Sequence, residues 1–215
     1  MGRTLAEHES LALLREYGIP TVEEAVVDTA PHAATAATAL GFPVVVKLTG
    51  PMITHKTERG LVRLGLQTPT EVHDAARDLL AAAQPDDGAV ALVVAPMVRG
   101  TRELITGIHT DPQFGPVVMV GIGGVLAEAV ADVAVRLVPL EGPDGLEMLD
   151  DLRTQALLGP FRGEPAVDRR AVAAVLAALC ELSAAHPEVT AVDVNPLVIV
   201  DGLPIAVDAL VELDA

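Results

Sequence analysis

A chain of 215 residues, 51% of them hydrophobic, can fill one large domain or two subdomains with a shared core, and with 2% aromatics that core must be Ala, Val and Leu. A formal net charge of −16, from 30 acids against 14 Lys and Arg, argues against nucleic acid or an anionic membrane as partner, since both need a basic footprint; it leaves room for a nucleotide, which needs only a few local cations or a metal. The single Cys180 excludes an intrachain disulfide, fits a reducing cytoplasm and reads as a small core residue of an Ala/Leu helix. Residues 1 to 16 carry Arg3, Glu7, His8, Glu9, Arg15 and Glu16 and lack the apolar run of a signal peptide. The most apolar span, Pro116 to Val135, is broken by glycine and proline and holds Glu128 and Asp132, so it should not cross a membrane. A soluble cytoplasmic protein is expected.

Residues 4 to 17 have the spacing of an amphipathic helix, with Leu5, Leu11, Leu14 and Tyr17 inside and Gly18 as its stop. An extended Ile19-Pro20-Thr21 and a strand over Glu24–Val27 come next. A helix runs from about Pro31 to Leu40, ended by Gly41. Val44 to Lys47 is a buried strand, and Leu61 to Leu66 a second one whose Val62, Leu64 and Leu66 make an apolar face. Thr68, Pro69 and Glu71 open a helix as N-cap, first residue and capping box. A turn at 85–88 leads to a strand over Ala89–Ala95. Residues 19 to 95 thus read β-α-β-β-α-β, a split α+β layout.

Pro96 to Gly100 reads as a hinge between subdomains. Strands over 101–109 and Val117–Val120 flank an Asp111–Gly115 turn and run into Gly121-Ile122-Gly123-Gly124. Residues 125 to 134 suit a strand or a short helix. A helix starts near Pro143, and Asp168 caps a long one over Arg169–Ala185. Ala191–Val200 and Leu203–Leu210 flank Asp201-Gly202, a hairpin signal. Counting outward from that turn places Asn195 opposite Asp208, with Asp193 on the same face as Asn195. Three oxygen-bearing side chains on one face of an apolar hairpin suit Mg²⁺; solvated polar residues on an edge hairpin are the plainer alternative.

The stretch from Phe42 to Gly60 brings a strand ending on Lys47 to a loop with His55, Lys56 and Arg59. It suits phosphate, or else is a surface lysine and a solvated loop. The Gly121–Gly124 turn offers backbone N–H groups to an anion but is neither G-x-G-x-x-G nor a P-loop. Glu103, just past the hinge, could hold a ribose or metal, though taken alone it reads rather as a strand-surface carboxylate. His55 has the chemistry of a phosphoryl acceptor, though a lone histidine is more often solvated or structural.

Several segments, taken together, resemble one family. Phe42-Pro-Val-Val-Val-Lys47, His55-Lys-Thr-Glu58, Asp111-Pro-Gln-Phe-Gly-Pro-Val-Val118, Gly121-Ile-Gly-Gly124 and Asp193-Val-Asn-Pro-Leu197 occur in the order found in the ATP-grasp β subunit of ADP-forming acyl-CoA synthetases (acetate–CoA ligases). The succinyl-CoA synthetase β subunit is a more distant relative. The resemblance spans about residues 5 to 212 and implies an α+β ATP-grasp fold of two subdomains, about 19–95 and 97–215, preceded by the helix at 4–17.

It further implies a relay: an acyl phosphate forms on a CoA-binding α subunit, and its phosphoryl group passes through histidine to ADP on this subunit, reversibly, with Mg²⁺. His55 matches the phosphorylatable histidine and Asp193 a carboxylate near it. Lys47 matches the lysine that holds nucleotide phosphates, and Val94, Ala95 and Met97 match the adenine hinge. Glu103 lies in the ribose or phosphate region. Gly123, Gly124 and Arg136 face the transferring phosphoryl group, and Asn195 and Asp208 match the metal ligands. The family pattern K-S-D-x-G-G after the histidine is here Lys56-Thr-Glu-Arg-Gly-Leu61, which loses a glycine and adds Arg59. The expected protein is a ligase subunit in a hetero-oligomer with a separate α chain. The alternatives are a stand-alone nucleotide-binding regulatory module and an ATP-grasp ligase that uses an acyl phosphate directly.

Overall fold

A computed structural model describes residues 2–50, 52, 53, 56, 58–124 and 130–214. The chain divides into two compact units: Val22–Met97, and a larger one built from Met1–Thr21 and Val98–Ala215. The N-terminal segment, expected to stand before two subdomains, joins the second of them.

The Val22–Met97 unit runs β2 (Ala25–Val27), α2 (Ala30–Leu40), β3 (Val44–Thr49), β4 (Val62–Leu66), α3 (Pro69–Ala81), a 3₁₀ turn at Pro85–Asp87 and β5 (Ala91–Pro96). This is the β-α-β-β-α-β order read from the pattern. Its four strands form an antiparallel sheet in the order β2-β5-β3-β4. Val44, Val46 and Leu48 of β3 and Leu92 and Val94 of β5 pack against Ala33 and Ala37 of α2 and Val72, Ala76 and Leu79 of α3. Alanines on α2 allow close approach where no aromatic fills the gap. Thr68 caps α3 by accepting from Glu71 N at 3.2 Å. The Glu71 carboxylate returns to Gln67 N at 2.7 Å, one residue before the cap, so the box is shifted from its expected form. The expected apolar face of β4 does not form: between Val44↔Leu66 and Val46↔Arg63 the strand spends one residue more than β3, so Leu66 packs on the core while Leu64 at the strand's centre is 65% exposed.

The larger unit holds β1 (Arg3–Thr4), α1 (Glu7–Glu16), β6 (Arg102–Asp111), β7 (Gly115–Ile122), β8 (Val133–Leu137), α4 (Asp144–Asp151), α5 (Gln155–Leu158), α6 (Arg169–Ala185), β9 (Val189–Val200), β10 (Leu203–Ala206) and β11 (Ala209–Leu213). Its antiparallel sheet has the order β1-β11-β9-β6-β7-β8, with β10 also on β9. The first helix starts three residues later than its pattern suggested, because Arg3 and Thr4 pair with Leu213 and Glu212. Residues 125–129 lie outside the described residues; 133–137 of the ambiguous stretch and beyond form β8. Asp111 Oδ1 accepts from Gln113 N and Phe114 N at 2.8 and 2.9 Å, which builds the β6–β7 turn, and those N–H groups hold its carboxyl below the ordinary range. Asp168 caps α6 through Arg170 N and Ala171 N, both at 3.0 Å. Val172, Val175, Leu176 and Leu179 of that helix are buried, and it packs on β6 and β7. No described helix is long and apolar enough to cross a membrane.

Candidate functional site

In the larger unit, the β9–β10 hairpin has the register counted from Asp201-Gly202: Leu203 pairs Val200 and Ala206 pairs Leu197. The turn residues have φ of 50° and 86°, the left-handed pair of a type I′ turn. The ladder lapses after Ala206 and resumes in the same frame at Ala209↔Val194 and Leu210↔Asp193. Asn195 and Asp208 are the matching positions in that gap. On its other side β9 pairs β6, and between Thr106↔Val194 and Leu104↔Leu197 it spends one residue more than β6 does. That bulge holds Asn195 and Pro196. Before it, Asp193 and Asn195 are exposed while Val192 and Val194 are buried; after it, the face of Val192 and Val194 passes to Leu197 and Ile199, with Val198 on the other face buried as well. The bulge thus turns the strand over just where the oxygen-bearing side chains stand, a known use of bulges beside sites.

Gly107 pairs Asp193. A Cβ at Gly107 would lie 2.1 Å from Val192 O, so only glycine lets β6 approach β9 there. Desolvation pushes the Asp193 carboxyl above the ordinary range. Among the described residues no three His, Cys, Asp or Glu side chains gather as a metal cluster; the candidate set is two carboxylates and an amide. Such oxygen donors fit a hard divalent cation completed by water and phosphate.

One strand over, Glu103 stands beside the glycine turn. Its carbonyl accepts from Gly123 N at 2.8 Å. A Cβ at Gly123 would be 3.1 Å from the Glu103 carbonyl, and Gly124 has φ +85°. Glu103, Gly123 and Gly124 line a cavity of about 530 Å³ together with Arg162, Thr154 and apolar side chains that include Leu157 and Ile199. The structure does not bring Arg136 to this group. Arg136 pairs Val118, on the face shared by buried Ile108 and Val120, and its guanidinium donates to Asp151 at the end of α4.

In the Val22–Met97 unit, Lys47 pairs Val93 and Val62, on the face of β3 opposite the helix-packed Val46 and Leu48. Ala95 pairs Val45 and shares that face, whereas the Val94 side chain belongs to the core. Thr49, two residues from Lys47 on the same face, is buried with a hydroxyl that has no partner among the described residues. Met97 follows β5 and donates its N–H to Pro43 O at 2.9 Å. His55 lies outside the described residues. Arg59 beyond it grips Asp87 through two parallel bonds of 2.8 and 2.9 Å, and Asp87 also accepts from Gln84 N at 2.8 Å. Arg59 first and Gln84 second hold the Asp87 carboxyl below its ordinary range.

Three features were not foreseen: the bulge, Arg162 and the unpartnered Thr49 hydroxyl. The Asn195-Pro196 step hinted at the first, and the Arg162-Gly163 turn at the second; nothing local marked the third.

The sequence profile of the ATP-grasp domain matches residues 1–213. The chain is 35% identical over 210 residues, 96% of its length and 90% of the relative's, to the beta subunit of ADP-forming acetate–CoA ligase I of Pyrococcus furiosus. Among solved structures it is similar to acetyl-coenzyme A synthetase 1 of Ca. Korarchaeum cryptofilum in complex with coenzyme A and Ca-AMPCP (TM-score 0.91, 31% identity, 98% of this chain and 93% of that one). It is also similar to the same enzyme with coenzyme A and Mg-AMPPCP, its phosphohistidine segment pointing towards the nucleotide binding site (TM-score 0.85, 32% identity, 98% and 93%). With the profile spanning nearly the whole chain and a relative of this identity covered almost end to end, the chain belongs to the ATP-grasp family, among the beta subunits of ADP-forming acetate–CoA ligases.

Proposed function

We propose that this chain is the nucleotide-binding β subunit of an ADP-forming acyl-CoA synthetase, passing a phosphoryl group between a phosphohistidine and ADP, in partnership with a CoA-binding α subunit in another chain. The observation that carries the reading is the common register of β10 and β11 on β9, which supports Asn195 and Asp208 as joint ligands of a divalent cation with Asp193 beside them. Magnesium, when bound, would offset phosphate charge in the transfer. Lys47 binds the nucleotide phosphates, with the Thr49 hydroxyl a further donor on its face. The backbone of Val94, Ala95 and Met97 takes the base, and Glu103 takes ribose hydroxyls. The N–H groups of Gly123 and Gly124 hold phosphoryl oxygens, a fixed-dipole stabilisation that needs no rearrangement during transfer. His55 is the phosphoryl acceptor, and Asp193 is a carboxylate of the transfer step.

Calorimetric titration of the chain with ADP, with and without Mg²⁺, tests this. Binding should depend on Mg²⁺ and weaken about tenfold or more in Lys47→Ala, the loss of one charge-assisted contact. With the α subunit and acyl phosphate present, His55→Ala should abolish ATP formation. Unaltered turnover in His55→Ala would refute the histidine relay, and ADP binding indifferent to both Mg²⁺ and Lys47 would refute the nucleotide site.

A further inference from the structure

The segment from Leu152 to Asp168 has little regular structure and is fastened at both ends and in its middle. Asp132 receives its start: Oδ1 accepts from Arg153 N at 2.9 Å and Oδ2 from Thr154 N at 2.7 Å. Val167 N donates to Leu158 O at 2.9 Å and Asp168 N to Gly202 O at 2.8 Å. In the middle stands Arg102, only 4% exposed. Its Nη1 donates to Gly159 O at 3.0 Å; its Nη2 donates to Pro165 O at 2.6 Å and to Glu164 Oε2 at 3.2 Å. Its Nε is buried with no partner among the described residues. The tip of the segment is a tight turn, closed by Phe161 N to Glu164 O at 3.2 Å and Glu164 N to Phe161 O at 2.9 Å. In that turn Arg162 has φ +49°, a left-handed conformation that arginine seldom takes.

Arg162 lines the same cavity as Glu103, Gly123 and Gly124. Acids outnumber Lys and Arg by 30 to 14 in this chain, and Arg59, Arg77, Arg102, Arg136, Arg153 and Arg169 each pair with a carboxylate. Arg162 makes no ion pair among the described residues; its guanidinium lies over the Phe161 ring, 5.2 Å from the centroid. Stacking holds the group in place and leaves its in-plane donors for a ligand. A strained residue, presented by a loop fastened from three directions, is the usual state of a group pre-set for binding.

We propose that Arg162 is an anion-contacting residue of this cavity, binding the phosphate portion of the nucleotide, and that Arg102 is the positioning residue that places it. The proposal rests on the reading of the chain as nucleotide-binding. Glu103 in the same cavity narrows the ligand class. A bare phosphate would meet a carboxylate, whereas a nucleoside phosphate offers ribose hydroxyls to Glu103 and its phosphates to Arg162 and the glycine N–H groups. The cavity volume lies within the range of small-ligand pockets.

The test uses the full chain with Mg²⁺, titrated with ADP, adenosine and inorganic pyrophosphate. Arg162→Gly removes the guanidinium while suiting the left-handed turn, so the fold is kept. It should weaken ADP about ten- to a hundredfold and leave adenosine unchanged, while Arg162→Lys recovers part of the loss. Pyrophosphate should bind far more weakly than ADP in every variant. Arg102→Lys should weaken ADP in the native background and add nothing on top of Arg162→Gly. Arg170→Gln, a charge loss at an exposed position of α6, should leave ADP binding intact. Native ADP affinity in Arg162→Gly overturns the inference, as does an equal loss for adenosine, an additive Arg102→Lys, or pyrophosphate binding as tight as ADP. If the unaltered chain binds no ADP, the nucleotide reading itself fails; if it binds ADP and Arg162 does not matter, the inference alone fails.

Discussion

Asp132 is 3% exposed and accepts from Arg153 N, Thr154 N and the Thr154 hydroxyl. Burial works to raise its carboxyl, but these hydrogen bonds outweigh burial and the carboxyl lies below the ordinary range. A depressed acid contributes stability that is complete above the unfolded value, near 3.9, and is lost as pH falls through the lower folded value. Asp132→Asn should therefore cost about 2–3 kcal/mol at neutral pH, by leaving buried N–H groups facing an amide, and the gap to the native protein should close only below about pH 4. Urea unfolding across pH checks this, and a gap that closes near pH 6 would contradict it. The residues written into their own neighbourhood were legible: Thr68 and Asp168 cap the helices that follow them. Asp132 and Arg102 were not, because their partners lie some 20 to 60 positions away and no local pattern announces such a bond.

Short turns with one allowed chemistry carry the pairing of whole elements, which is why the Asp201-Gly202 hairpin and its register could be counted from the sequence. The site there was legible to the same extent, since Asn195 and Asp208 follow by counting alone. The bulge was not, because an extra residue in β9 is defined by its pairing with β6, about ninety positions earlier. The same holds for β4, where alternation gave an apolar face but could not show the extra residue that appears only in its pairing with β3. The close approach of β6 and β9 yields an element-level prediction. Gly107→Ala puts a methyl group 2.1 Å from Val192 O and should cost about 3 kcal/mol, with weakened ADP binding because Asp193 is its pairing partner. A melting temperature equal to that of the native chain would show that the strands part without penalty. Thr68→Ala, which removes the α3 cap, should cost only about 1 kcal/mol.

At the scale of the molecule, the Val22–Met97 unit is one continuous stretch with its own two-helix, four-strand core, whereas the larger unit is assembled from both ends of the chain. Residues 22–97 made alone should therefore melt cooperatively by circular dichroism; a broad, gradual melt would mean that this core depends on the rest. Composition did anticipate how both units are packed, since their buried cores are mostly Leu, Val and Ala, without aromatics. The discontinuity was not anticipated, because a helix at 4–17 read from its own spacing carries no sign that its partner is at the far end. Leu5 N bonds Val211 O at 2.9 Å, Ser10 Oγ accepts from Val211 N at 3.2 Å, and Arg3 pairs Leu213. During translation the first segment thus leaves the ribosome long before β11 exists. The early helix must wait for a strand made nearly two hundred residues later, and the Val22–Met97 unit can settle while its host is still being synthesised.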